Sequence, residues 1–460
     1  MYILNPQIKI PLHIQLFEEM KKDIIENYKI NQKVPSIRKI ASTYNISKNT
    51  VESAFSQLVV EGFIDSKPQS GYYVISTKSS NFKLEKNIES TYTKEDVKIK
   101  YDFAPARLEK NSFPLKTWKR IFNKVINEDL DLGKYTHNQG ELDLRIQIAK
   151  YLNHSRAVKC EANQIILGNG FADSMSLLAM LLKNNNTANT LAIEDPGYHV
   201  ARKVFENHSY MIDRIKVDKN GISLDELNKT KSKLVYITPS HQYPTGVSIP
   251  ISNRVKILEW AKSNKAYIIE DDYDSELTYQ NRPIPSLQGL DENKRVIYHG
   301  TFSKALSPSI RVSYLVLPSN LIDLYNKNFA YHGARVCLTT QKVLEKFMKD
   351  GHWDKHLRKI RTLNKKKHNL IKKLLEERLK DTMTIESQGG GLSILINPRV
   401  PFDWNILEKE SEKNDIQLYY AKQRSGDKWQ ALMMGFGGLK ENEIIEGIDI
   451  FSEVWFKCII

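Results

Sequence analysis

Past residue 160, short unbroken apolar runs alternate with longer stretches of helical periodicity. The runs cover 164–167, 191–193, 234–237, 267–269, 296–298 and 312–317, and all are rich in β-branched or aromatic residues. They lack the in-out alternation of a strand with one wet face, so each predicts a strand buried on both sides. Helical patterns fill the intervals, as over 253–263 after Pro250. Strand and helix in turn predict an α/β domain on a mostly parallel sheet covered by helices. In such a sheet, ligands bind beyond the carboxyl ends of the strands.

The first 75 residues follow another pattern. Pro35-Ser36 opens a helical run, IRKIASTY, with Ile37, Ile40 and Ala41 on one face. The turn Asn45-Ile46-Ser47 leads into KNTVESAFSQLVVEG, where Val51, Ala54, Phe55, Leu58 and Val59 form an amphipathic stripe. Ser47 suits the N-cap of this second helix and Gly62 its C-terminal stop. FIDSK and YYVI, around the polar PQSG, read as a hairpin. Helix, turn, helix and hairpin make a winged helix-turn-helix. Its second helix starts with Lys48, Asn49 and Thr50, groups that can reach base edges and phosphates. Between the two parts, 76–99 is polar and without aliphatic periodicity, which predicts a linker. The expected division is therefore a head, 1–75, the linker, and a body, 100–460.

Composition changes this picture little. A chain of 460 residues with 41% hydrophobic and 27% charged residues is an ordinary globular one, too long for a single core. The net charge of +14 suits a polyanionic partner, although the head itself holds nine Lys/Arg against seven Asp/Glu. Three scattered cysteines, Cys160, Cys337 and Cys458, predict neither disulfides nor a metal site. The first twenty residues carry charges and a proline where a signal peptide needs an apolar core. No apolar run approaches the ~20 residues that span a bilayer. A cytoplasmic protein with no membrane partner is expected.

The candidate chemistry lies in VIYHGTFSKALSPSIRVS, where Lys304 sits just past a buried strand and Arg311 follows seven residues later. A strand-end lysine of lowered pKa can form an imine with a carbonyl compound, of which pyridoxal 5′-phosphate (PLP) is the commonest. That cofactor asks for a carboxylate at its ring nitrogen, an aromatic against its ring, and N–H groups with a cation at its phosphate. Strand ends supply each type. Glu270-Asp271-Asp272-Tyr273 ends one, Asp195-Pro196-Gly197-Tyr198 another, and Gly168-Asn169-Gly170-Phe171-Ala172 a third, while Thr301, Ser303 and Arg311 flank the lysine. Taken singly, each is also an ordinary turn or helix cap.

Two family resemblances sharpen the reading. The run VPSIRKIASTYNISKNTVESAFSQLVVEGFIDSKPQSGYYV resembles the DNA-binding domain of the GntR regulators. That likeness implies that Ser36, Arg38, Ser47, Lys48, Asn49 and Thr50 face DNA, with Lys67, Ser70 and Gly71 at the wing. The segments YDFAPARLEKNSFPLKTWKR, QGELDLRIQIAKYL, EDPGYH, TPSHQYPTG, IIEDDYDSE, GTFSKALSPSIRVSYLVLP and MMGFGGL are similar to fold-type-I aminotransferases. Together they resemble the MocR subfamily, a winged helix-turn-helix head fused to a fold-type-I body with a smaller C-terminal subdomain. The resemblance implies that Lys304 holds PLP as an internal aldimine, Asp271 pairs with the ring nitrogen, Tyr273 bonds the phenolic oxygen and Tyr198 stacks. Arg311, Thr301, Ser303 and the amides of Gly170, Phe171 and Ala172 would hold the phosphate. It also implies a homodimer reading two half-sites on double-stranded DNA.

Two departures bear on what is sensed. Where such aminotransferases carry an arginine for the substrate carboxylate, ALMMGF has Met433, with Arg335 and Arg424 as replacements of unknown placement. Gln242-Tyr243 stand before Pro244 in place of the usual asparagine. Both point away from efficient transamination and towards a PLP-binding transcriptional regulator. Its signal would be PLP or an amino compound exchanging with it, in control of vitamin B6 or amino-acid metabolism. The rivals are a working aminotransferase with an accessory head and a scaffold without cofactor. A basic run, 355–373, with nine Lys/Arg and no acid, reads as the solvated face of a long helix, or else as a contact with flanking DNA.

Overall fold

Ser36 and Ser47 begin the two helices of the head as their capping chemistry predicts. In the computed structural model, which describes residues 2–77, 99–128, 130–184, 189–279, 284–386, 389–422 and 429–460, Ser36 Oγ accepts from the Lys39 amide and Ser47 Oγ from the Thr50 amide. Most of the linker expected over 76–99 lies outside these residues. The chain divides into two compact units, Met1–Asp96 and Val97–Ile460.

In the first unit, helices α1 (Leu12–Asn27), α2 (Ile37–Tyr44) and α3 (Lys48–Val60) precede strands β1 (Ile64–Lys67) and β2 (Gly71–Val74). The strands form an antiparallel hairpin, with Lys67 opposite Gly71 beside the turn. Helix α1 is an addition to the sequence reading. Its Leu16, Phe17, Met20 and Ile24 pack with Ile40, Val51, Ala54, Phe55 and Leu58 in one small core. Val59 does not join them and is 36% exposed. At 100° per residue it stands about a quarter turn from the centre of the α3 stripe, beyond the reach of the core.

The second unit opens with β3 (Tyr101–Asp102). Eight strands follow: β4 (Ile165–Gly168), β5 (Thr190–Asp195), β6 (Met211–Asp218), β7 (Gly221–Ile222), β8 (Leu234–Ile237), β9 (Tyr267–Asp272), β10 (Val296–Thr301) and β11 (Ser313–Val316). They form one sheet in the order β4-β11-β10-β9-β8-β5-β6-β7. Pairs β10/β9, β9/β8, β8/β5 and β5/β6 are parallel, whereas β11 runs against both its neighbours. Apolar residues of β4, β5, β8, β9, β10 and β11 face helices on both sides and fall in separate cores, which is why these strands carry no alternation. Strand β6 carries no apolar run in the sequence because four of its eight residues are charged, and it lies near the sheet edge.

The smaller C-terminal part holds β12 (Met383–Ile385), β13 (Ser393–Pro398), β14 (Ile416–Gln417), β15 (Tyr419–Lys422) and β16 (Gln430–Gly435). All but β14 make an antiparallel sheet in the order β12-β13-β16-β15, and β14 pairs with β3. The basic run lies within the 28-residue helix His352–Leu379. Lys355, Arg358, Lys359 and Lys365 are exposed there, but Lys367 turns inward, is buried, and bonds Glu109 at 2.5 Å.

Candidate functional site

Strand register assembles the site. Gly168 at the end of β4 lies opposite Ser313, Ser313 lies opposite Thr301, and His299 lies opposite Asp271. The turns that follow β4, β9 and β10 therefore share one edge of the sheet. Arg311, immediately before β11, returns to that edge in the left-handed conformation, φ 56°.

A cavity of about 290 Å³ opens there, lined by Phe171, Tyr198, Asp271, Tyr273, Thr301, Ser303, Lys304 and Arg311 among others. All eight are among the residues to which the sequence points. Lys304 Nζ has no hydrogen-bond or ion-pair partner among the described residues and lies 5.9 Å from the Tyr273 ring centroid. Burial lowers its pKa, against the opposing pull of Asp274 and Asp271. Arg311 Nη2 donates to the Asn169 carbonyl at 3.1 Å. A Cβ on Gly170 (φ +84°) would come within 2.0 Å of that same Nη2, so the guanidinium occupies space that only glycine leaves. Ala172 is exposed in the first turn of the helix Phe171–Asn184. The Ser303 amide donates to Thr301 Oγ1 at 3.1 Å.

Asp271 is 3% exposed. Its Oδ2 accepts from Tyr236 at 2.5 Å and its Oδ1 from His299 Nδ1 at 2.7 Å. The carboxylate oxygen can only accept, so His299 Nδ1 is the donor; its Nε2 is buried with no partner among the described residues. Tyr236 and His299 were missed from sequence, since each looks like one more residue of a buried strand. Tyr198 is packed edge-on by Phe171 at 5.0 Å and by Tyr243 at 5.2 Å. Burial, then the Asp271 charge, pushes its phenol up to about 12, and burial holds Tyr273 far above its usual range.

A recess of about 30 Å³ adjoins the cavity and shares Pro105, Tyr243, Tyr273 and Lys304 with it. His241 Nδ1 meets Asp274 Oδ2 there at 2.7 Å. Burial alone would lower the His241 pKa, but Asp274 outweighs it and the net shift is upward. Met433 lines the recess, at the position where the sequence raised an arginine, and Glu386 lines it too. Arg335 is held elsewhere by Asp173, at 2.5 Å, and Arg424 lies outside the described residues. Gln242 does not line the cavity. It is buried behind the turn, donating to the Pro196 carbonyl at 2.9 Å.

On the first unit, Ser36, Arg38, Ser47, Lys48 and Asn49 are exposed at the starts of α2 and α3, with Thr50 half-buried. Lys67, Ser70 and Gly71 are exposed at the hairpin turn. Tyr73, unremarked in the sequence, organises that turn: Lys67 Nζ lies 4.5 Å from its ring centroid and its hydroxyl meets Ser70 Oγ at 2.7 Å. Among the described residues, no helix is long and apolar enough to cross a membrane, and no cluster of three metal-ligating side chains occurs.

Comparison with known proteins follows the same division. Residues 12–74 match the bacterial regulatory proteins of the gntR family, and residues 105–415 match aminotransferase class I and II. The chain is 35% identical to the uncharacterized HTH-type transcriptional regulator YdeL of Bacillus subtilis, over 98% of each chain. It is 27% identical to the probable rhizopine catabolism regulatory protein MocR of Rhizobium meliloti, over 98% of this chain and 94% of that one. It is 26% identical to the HTH-type pyridoxine biosynthesis transcriptional regulator PdxR of Corynebacterium glutamicum, over 85% of each. A crystal structure of multiple substrate aminotransferase from Thermococcus profundus superposes with a TM-score of 0.69 at 24% identity, covering 77% of this chain and 91% of that one. The aminotransferase match implies PLP, and the cavity fits it: an amine with no partner among the described residues, a glycine-guanidinium cradle, and a buried carboxylate bonded by a tyrosine and a histidine.

Proposed function

We propose, from the premise that this chain belongs to the HTH-type transcriptional regulators that join a gntR-family head to an aminotransferase class I and II domain, that the occupant of its cavity controls its DNA binding. The carrying observation is the unpartnered Lys304 amine, buried in a cavity in the same chain as a DNA-binding head. When bound, PLP supplies an electrophilic carbonyl and an electron-withdrawing ring. Lys304 Nζ would be the amine that meets the carbonyl, favoured for this by its lowered pKa. Asp271, oriented by Tyr236 and His299, would keep a proton on the ring nitrogen. Tyr198 would lie against the ring and Tyr273 would donate to its phenolic oxygen. Arg311, Thr301, Ser303 and the amides from Gly170 to Ala172 would hold the phosphate.

The head would read DNA through Arg38, Lys48, Asn49 and Thr50, with Ser36 and Ser47 at the helix starts and Lys67, Ser70 and Gly71 at the wing. A homodimer in the cytoplasm would present two heads to two half-sites, and the occupant would shift the balance between two dimer arrangements. Likeness to PdxR supports PLP itself as one signal and vitamin B6 supply as one target. Retention of the full cofactor set favours, as a second reading, residual aminotransferase turnover, against which Met433 stands.

Titrating PLP into the purified full-length chain tests the cofactor half of this reading. A visible absorption band should appear, and borohydride should then fix one cofactor mass on the peptide that contains Lys304. Absence of both at saturating PLP would remove the reading.

A further inference from the structure

Resting on that reading, we propose that the recess beside Lys304 selects a primary amine with no carboxylate on its amino-bearing carbon and with a second donor group, an ammonium or a hydroxyl. A carboxylate drawn into a site shielded from water needs a cation, and a guanidinium pairing through two N–H groups serves it best. Among the described lining residues, the recess offers no cation but Lys304, the amine already assigned to the cofactor, and His241, which Asp274 holds. Among the described residues, Arg107, close in sequence to the lining Pro105, pairs with Asp102, and Arg335 pairs with Asp173. Arg311 lines the larger cavity but not the recess, and packs against Gly170.

What the recess does present is acceptors. Glu386 lines it with the hydroxyls of Thr245 and Ser393, and Asp274 lines it with one oxygen taken by His241. Glu386 keeps one oxygen on Asn397 and carries a pKa raised by burial, a shift that a cationic ligand would oppose. The remaining wall is apolar: Met433 is 7% exposed and packs with Leu395 and Ala431, with Tyr243 against them. Such a wall suits methylene groups and gives a carboxylate nothing. The free space is small, about 30 Å³, so it admits a slender chain before a branched one.

The test uses the PLP-loaded full-length protein and four probes: putrescine, ethanolamine, L-alanine and L-glutamate. Calorimetry should find both amines binding at least about tenfold more tightly than both amino acids, the factor that one charged hydrogen bond commands. Glu386→Gln should reduce putrescine affinity by about the same factor while leaving the amino acids unchanged, and Met433→Arg should reverse the order of preference. Equal or tighter binding of the amino acids by the wild-type protein, binding of none of the four, or indifference of putrescine to Glu386→Gln would overturn the proposal. The visible band of the loaded protein, read before any probe is added, separates the failures. Without it the cofactor reading falls, and with it only the selectivity falls.

Discussion

Replacing Lys304 with alanine is expected to abolish the visible band of the PLP-loaded protein and to leave its DNA affinity indifferent to PLP. The side chain lines the cavity and has no hydrogen-bond or ion-pair partner among the described residues. Its removal breaks no hydrogen bond among the described residues and creates no buried unpaired charge. The fold should therefore hold, with melting temperature nearly unchanged. Asp271, Tyr273, Tyr198 and Arg311 would remain, so some PLP should still enter without a covalent link. A Lys304→Ala protein that kept the band would place the reactive amine elsewhere. One that lost the band yet kept its PLP response would place the switch outside this cavity.

The second large effect concerns the head. Arg38→Ala with Asn49→Ala should weaken operator binding while leaving the PLP band untouched. Both side chains are exposed, at the first turns of α2 and α3. An asparagine that reads a base edge bidentately contributes about 1–3 kcal/mol, so Asn49→Ala alone should cost roughly 5- to 150-fold in affinity and relax specificity at one position. Arg38, if it meets phosphate, should instead lower affinity uniformly and flatten the salt dependence. The helix caps, Ser36 and Ser47, stay in place, and alanine is the better helix former. Circular dichroism should accordingly show an intact head. Anisotropy with a labelled operator over a range of salt concentrations separates the two contributions, and unchanged affinity in the double variant would remove this face of the head from recognition.

How much of this was legible in the sequence depended on whether the signal was local. The strands at 234–237 and 267–269 are apolar because both faces are covered, and that pattern needs no knowledge of neighbours. The two caps of the head, and Lys304 just past a strand end, are likewise local. Asp271 was legible as an acid at a strand's end, but its partners were not. Tyr236 and His299 reach it from the strands on either side of β9, and cross-strand register cannot be read from one strand's composition. Glu386 stayed invisible for the same reason: it belongs to the smaller subdomain and reaches the recess only through the fold. Val59 shows the limit of a periodic stripe, which marks a face without saying how wide the core beneath it is. Lys367 is the converse case, a charge in a basic run that the structure buries against Glu109.

The account rests on one chain joining a cofactor cavity to a DNA-binding head so that the first governs the second. The most direct test is the affinity of the full-length protein for DNA upstream of its own gene, measured with and without PLP and again with Lys304→Ala. The affinity or footprint should change when PLP is added to the wild-type protein and should not change with Lys304→Ala. Identical DNA binding by the wild-type protein with and without PLP, and with the amine and amino-acid probes, would contradict it.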